Sequence, residues 1–317
     1  MDISNLIKPD KLTPGDTIGI ISPAGAVKEA RLWLPAIGYL EKKGYKVKVA
    51  PHAQDQKAYL AGKDEDRVTD LINFFKDPDI KAIICSRGGY GTFRFLQNID
   101  FEIIKNNPKI FVGYSDITTL LWAFMQRSGL VTFHGPLALS DFGTGKVNSY
   151  TESSFFDVLE GKAEIPHIYQ NPVNYECLNP GDTDGALFAG NLAIITGLLG
   201  TPYFPDLTDK ILLLEDIGEP LYKIDRMLMQ LKLAGVFDQI AGLLFGEFTQ
   251  IVKSDNTEIN HLSVIDVIKE ITNDLDIPIG YGFPASHGDF KATLPLGVDY
   301  YFNSDKFNLV LNEKYLN

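Results

Sequence analysis

Three short apolar runs in the first 112 residues, Asp16–Ser22, Ile80–Cys85 and Ile110–Val112, each lead into a loop that carries glycine. Stretches with helical spacing separate them. This alternation limits the fold more than any other feature, because strands joined by helical crossovers pair in parallel and expose their ligand site at the carboxyl edge. The expected architecture is a parallel, doubly wound α/β sheet. The loops at Ser22, Gly88 and Ser115 should converge at its carboxyl edge.

The intervening elements follow from the same patterns. A helix is expected after the first loop to about Lys43, a strand over Tyr45–Ala50 and a helix over Asp64–Phe75, where Val68, Leu71, Ile72 and Phe75 share a face. Thr92–Ile104 reads as a further helix. The helix after Ser115 ends near Ser128-Gly129, and a strand over Leu130–Phe133 precedes His134-Gly-Pro136. Weaker periodicity over Ala138–Asn174, with one short helix at Ser153–Leu159, marks a connection. The expected division is 1–145, a connection over 146–178, and a second, smaller and strand-rich α/β domain over 179–317. In that domain Gly185–Ala189, Lys210–Leu214, Ala241–Gly246 and Ile277–Gly280 read as strands. Asn191–Leu199, Leu221–Ala234 and Leu262–Leu275 read as helices, and Gly297–Phe302 with Phe307–Leu311 as a closing hairpin.

Charge narrows the partners. A formal net charge of -12 without clustered Lys and Arg argues against nucleic acid and against an anionic membrane surface. No run of eighteen apolar residues and no leader pattern is present, so a cytoplasmic protein is expected. Cys85, inside an apolar strand, reads as a core residue, and a disulfide with Cys177 is not expected.

Val112-Gly-Tyr-Ser-Asp116 reads as strand, tight turn and helix, which presents the Ser115 hydroxyl at the tip with free helical N–H groups beside it. The plainer alternative is that Ser115 or Asp116 only caps the helix. A nucleophilic serine needs a base and a group that orients the base. Of the five histidines, His52, His167 and His261 read as solvent-exposed, and His134 as structural. His287 stands between glycines in a proline-stiffened loop, Tyr281-Gly-Phe-Pro-Ala-Ser-His-Gly288, and suits a general base. Two strand ends offer carboxylates: Leu214-Glu215-Asp216 and Gly246-Glu247. No zinc motif or phosphate loop is present, and Gly88-Gly-Tyr-Gly91 lacks dinucleotide spacing, so neither metal nor cofactor is expected. Its glycine N–H groups fit an oxyanion hole better.

Leu12-Thr-Pro-Gly-Asp-Thr-Ile-Gly-Ile, Arg87-Gly-Gly-Tyr-Gly, Pro108-Lys-Ile-Phe-Val-Gly-Tyr-Ser-Asp-Ile-Thr, His134-Gly-Pro, Gly190-Asn-Leu, Leu214-Glu-Asp, Ile224-Asp-Arg and Gly282-Phe-Pro-Ala-Ser-His occur in this order along nearly the full chain. Together they resemble the LD-carboxypeptidase family of serine peptidases, which includes muropeptide LD-carboxypeptidases and microcin C immunity peptidases. The resemblance implies a flavodoxin-like N-terminal domain and a Ser-His-Glu triad of Ser115, His287 and Glu215. It also implies oxyanion donors at the backbone N–H of Asp116 and Gly89. Ile117 departs from the G-x-S-x-G elbow of α/β-hydrolases. The implied reaction is hydrolysis of the L,D bond of cytosolic murein tetrapeptides, releasing terminal D-Ala, with Arg87 or Arg94 meeting a substrate carboxylate. A homodimer is expected. The alternatives are an immunity-type peptidase acting on a peptidyl-nucleotide, and a non-catalytic binding protein on the same scaffold.

Overall fold

Strands β1 (Thr17–Ile21), β3 (Ile80–Cys85) and β4 (Ile110–Gly113) are buried along nearly their whole length, as strands covered on both faces must be. Strand β2 (Lys46–Val49) reads Lys-Val-Lys-Val and alternates between exposed and half-buried positions, which suits the sheet edge it occupies. With β5 (Thr132–His134) the order is β5-β4-β3-β1-β2, all parallel, the flavodoxin-like arrangement. The crossovers are α1 (Trp33–Lys42), α2 (Asp64–Lys76), α3 (Phe101–Asn106) and α4 (Thr118–Ser128). This computed structural model describes residues 6–252 and 262–317. Among them no helix is long and apolar enough to cross a membrane.

Two expected helices are shorter than their sequence pattern. After Ser22 the chain stays irregular until a single 3-10 turn at Ala30–Leu32, because its backbone bonds neighbouring loops: Gly25 N to Gly88 O at 3.2 Å and Ala26 N to Tyr59 O at 3.0 Å. Thr92–Ile104 divides into a 3-10 turn, Thr92–Asn98, and α3, since Asp100 caps a new helix by accepting the Glu102 N–H at 3.1 Å.

The second sheet is mixed. Helix α5 (Ser149–Leu159) begins four residues earlier than its periodicity suggests, with the Asn148 side chain accepting the Thr151 N–H at 2.8 Å. Strands β6 (His167–Ile168) and β7 (Glu176–Asn179), neither anticipated, occupy the two edges. Between them β8 (Asp182–Asn191), β9 (Ile211–Ile217), β10 (Gly242–Thr249) and β11 (Ile279–Phe283) run parallel, linked by α6 (Leu192–Leu198), α7 (Leu221–Leu233) and α8 (Val264–Thr272). Strand β12 (Leu294–Leu296) instead joins the first sheet, antiparallel to β5, so the C-terminal part of the chain reaches back to the N-terminal sheet. Strands β13 (Asp299–Asn303) and β14 (Asn308–Leu311) form the hairpin.

The two sheets are held by α4. Its Trp122, fully buried, donates Nε1–H to Ala189 O at 3.0 Å, and Thr118 Oγ1 accepts the Asn191 N–H at 3.2 Å. A side chain at Gly190 would overlap Thr118, so the glycine lets helix and strand touch. Leaving these buried backbone groups unpaired would cost about 1–3 kcal/mol each, which makes the contact specific as well as apolar.

Candidate active site

Strand β4 delivers Ser115. A Cβ at Gly113 would meet Ile117 Cγ2 at 2.6 Å, so glycine permits the chain to turn sharply at the strand end. Ser115 itself takes φ of 63°, a left-handed conformation unusual for a side-chain-bearing residue and one that stores strain where it occurs. A 3-10 turn, Ser115–Ile117, leads into α4, and neither element has a side-chain cap at its start. The capping alternative is therefore incorrect here. The Asp116 carboxylate crosses instead to the end of the glycine loop, where Oδ2 accepts Thr92 N–H at 3.0 Å and Thr92 Oγ1–H at 2.9 Å. Burial raises its pKa against the lowering effect of these bonds.

That glycine loop covers the serine. Gly88 packs so closely that a Cβ there would stand 2.7 Å from both Cβ and Oγ of Ser115. Gly88 O accepts the Gly25 N–H at 3.2 Å. In a trans peptide C=O and N–H point in opposite directions, so the Gly89 N–H points away from Gly25.

Glu215 lies near the end of β9, a central strand, and is fully buried. Its Oε2 is 2.6 Å from His287 Nδ1. Glu247, on the neighbouring β10, does not make this contact; it packs under Gly288. Strand pleating turns Asp216 to the opposite face, where it accepts bonds from Asn191 Nδ2 at 2.9 Å, Ile217 N at 2.7 Å and Ala193 N at 2.9 Å. Burial and the adjacent Glu215 raise its pKa to about 6.

The His287 loop is fixed from three sides. The Tyr114 ring stacks edge-on against the imidazole with centroids 4.8 Å apart. From α5 and its cap, Asn148 Nδ2 donates to Asp289 O at 2.5 Å, while Thr151 Oγ1 accepts Lys291 N–H at 3.0 Å and Ser154 Oγ accepts Thr293 N–H at 2.9 Å. Ser115 and His287 line one cleft of about 280 Å³, together with Arg87, Gly88, Gly89 and Lys291.

The remaining candidates separate from this cleft. Arg94 pairs with Asp64 at 2.9 Å and does not line it, whereas Arg87 lines it and donates NH1–H to Ala26 O at 2.9 Å. His134 is buried, and desolvation lowers its pKa to about 4, so it is neutral at pH 7. His52 bonds Asp70 at 2.9 Å, and His167 is half-buried rather than exposed; His261 lies outside the described residues. Sequence reasoning passed over Tyr114 and Lys291, and named Gly88 only as part of its loop. Only the doubled glycine of Gly88-Gly89 carried a signal of close backbone approach.

A serine on a left-handed turn, covered by a glycine loop, shares one cleft with a carboxylate-bound imidazole, which brings together residue types that serine peptidases use. The chain belongs to the LD-carboxypeptidase family: the model of its N-terminal domain matches residues 18–135 and that of its C-terminal domain residues 184–301. It is a serine-type carboxypeptidase. A relative described as a probable murein peptide carboxypeptidase, from Bacillus subtilis, is 38% identical over 96% of this chain and 94% of its own length. The structure of MccF, a microcin C7 self-immunity protein, in complex with glutamyl sulfamoyl guanosine, superposes with a TM-score of 0.90 at 26% identity, covering 98% of this chain and 99% of that one. A muramoyltetrapeptide carboxypeptidase from Oxalobacter formigenes gives 0.81 at 31% identity, covering 95% and 100%.

Proposed function

We propose that this enzyme hydrolyses the L,D peptide bond of murein tetrapeptides and releases terminal D-Ala, with Ser115 as nucleophile, His287 as base and Glu215 as the group that orients it. The observation that carries the reading is the 2.6 Å contact between His287 Nδ1 and Glu215 Oε2 in the cleft lined by Ser115. A neutral imidazole that donates Nδ1–H to Glu215 keeps Nε2 as its acceptor. His287 then takes the Ser115 proton as Oγ attacks the scissile carbonyl, and Glu215 stabilises the imidazolium. The oxyanion is held by the N–H groups of Asp116 and Gly89. Collapse transfers the proton to the departing amine of D-Ala, and water hydrolyses the acyl-enzyme by the reverse proton path. The fixed turn and loop matter because each oxyanion donor is worth about 3 kcal/mol of barrier.

Substrate class rests on the relatives' descriptions and on the segment 141–161. A peptidyl-nucleotide substrate would want an exposed aromatic platform for its base in that segment. There Phe155 and Phe156 are buried in the core and Tyr150 is half-buried. On this reading the substrate is a cytoplasmic product of peptidoglycan turnover. The test is D-Ala release from tetrapeptides centred on L-Lys and on diaminopimelate, beside hydrolysis of a peptidyl-adenylate. The proposal expects release from at least one tetrapeptide and slower turnover of the adenylate. Turnover of the adenylate alone would transfer the site to the immunity-type reaction, and turnover of none would refute the assignment.

A further inference from the structure

Acyl transfer imposes an orientation on the cleft. His287 returns its proton to the leaving amine, so the amino acid to be released must lie on the imidazole side of Ser115. The oxyanion lies on the other side, under the glycine loop. Besides His287, the charged residues lining the cleft among the described residues are Arg87, Asp141 and Lys291. Arg87 belongs to the glycine loop and is bound to Ala26 O, on the oxyanion side.

Lys291 belongs to the opposite wall. Its bridge with Ala285 closes the loop that carries His287, and its main-chain N–H is held by Thr151. The side chain is only 12% exposed, and Nζ sits 5.9 Å from the centre of the Tyr114 ring. Nζ donates to Gly288 O at 2.5 Å and lies 3.3 Å from Asp141 Oδ1. Asp141 is in turn fixed, with Oδ2 accepting the Leu137 N–H at 2.7 Å. An ammonium has three N–H donors, and these two acceptors take two of them.

We propose that Lys291 is a specificity residue: its ammonium receives the terminal carboxylate of the amino acid being released, so the cleft accepts a peptide with a free carboxyl end and rejects an amide or a longer chain. The inference rests on the peptidase reading above. Asp141 and Gly288 O hold the ammonium in place, so little side-chain order is lost when the carboxylate arrives. Arg87, bound to the far wall, is left to contact the acyl side of the substrate. The guanidinium of an arginine at position 291 would keep the charge but alter the donor geometry.

The experiment uses Ser115→Ala protein, which keeps substrate intact, and titrates it calorimetrically with an L,D-tetrapeptide ending in D-Ala and with the same peptide as its C-terminal amide. The free acid should bind about 10- to 100-fold more tightly, the range expected for a hydrogen bond to a charged group. Adding Lys291→Gln should bring the acid down to the level of the amide and leave the amide unchanged, and Lys291→Arg should restore part of the difference. An unchanged acid-to-amide ratio in Lys291→Gln would overturn the inference. So would an equal loss for both peptides, which marks a tether alone, or failure of the free acid to bind the Lys291-containing protein. D-Ala release by the unaltered protein judges the reaction separately. Acid preference without release defeats the proposed reaction and leaves the carboxylate site standing; release without acid preference does the reverse.

Discussion

Replacing Gly88 by alanine isolates the contact between the glycine loop and the serine. The added Cβ would stand 2.7 Å from Ser115 Cβ and Oγ and 3.6 Å from Asp116 N. Non-bonded carbons settle at about 3.5–4.0 Å, so the overlap is roughly 1 Å. Gly88 does not occupy the left-handed region, unlike Gly89 at φ of 115° and Gly91 at 141°, so an alanine backbone is not itself strained there. The cost must come from moving either Ser115 or the loop. Ser115 is backed by buried Ile117 and Thr118, and the loop is tied through Gly88 O to Gly25 and through Thr92 to Asp116. Displacing a reacting group by about 1 Å lowers turnover about a hundredfold. Overpacking of this size costs about 1–3 kcal/mol of stability, so the variant should fold with a slightly reduced Tm. Gly38→Ala in α1, where a Cβ meets nothing within 4 Å, provides the control: equal activity and a Tm at or above wild type. The assay is kcat/KM for D-Ala release, with circular dichroism for folding. A folded Gly88→Ala enzyme within a few fold of wild type would refute the argument.

Other expectations follow from the acid–imidazole pair and its neighbours. Glu215→Gln presents an amide to His287 Nδ1, disfavours the working tautomer and should lower kcat by about 10³- to 10⁴-fold with little change in KM; retention of wild-type kcat would remove Glu215 from the reaction. Asp216 has a folded pKa of about 6 against an ordinary 3.8, so the folded state binds its proton more tightly. Its contribution to stability therefore increases as pH falls from about 6 towards 4, and is lost as pH rises through 6, by up to about 3 kcal/mol. Urea midpoints of wild type and Asp216→Asn should accordingly differ in pH slope within that window, and parallel slopes would contradict the assignment. Asp116→Ala removes two bonds to Thr92 and should cost about 1–3 kcal/mol while disordering the glycine loop. An unchanged Tm together with unchanged turnover would show that this tie is dispensable.

The flavodoxin-like sheet was legible because β1, β3 and β4 are nearly continuous apolar runs that lead into glycine-bearing loops, and nothing distant is needed to recognise them. Elements defined by long-range partners were not. Strand β12 contains Pro295 and only three residues, and becomes a strand because it lies antiparallel to β5 at the sheet edge, where a missing N–H is tolerated. The choice between Glu215 and Glu247 illustrates the same limit. Both follow buried apolar runs on adjacent parallel strands, and both approach the loop of residues 287 and 288, so local sequence presents one pattern twice. The two strands shift in register between Phe245 and Phe248, so their glutamates do not lie side by side, which no single strand reveals. Lys291 was silent for another reason. A lone lysine reads as surface until Gly288, Asp141 and Tyr114 are seen to enclose it.

The proposed reaction requires Ser115 as the nucleophile beside His287 and Glu215. Measuring D-Ala release from an L,D-tetrapeptide by the wild-type protein and by Ser115→Ala tests it most directly. Release by the wild type and a fall of about 10⁴-fold or more in the variant, with unfolding unchanged, are expected. Release by Ser115→Ala at a rate comparable to wild type would contradict it.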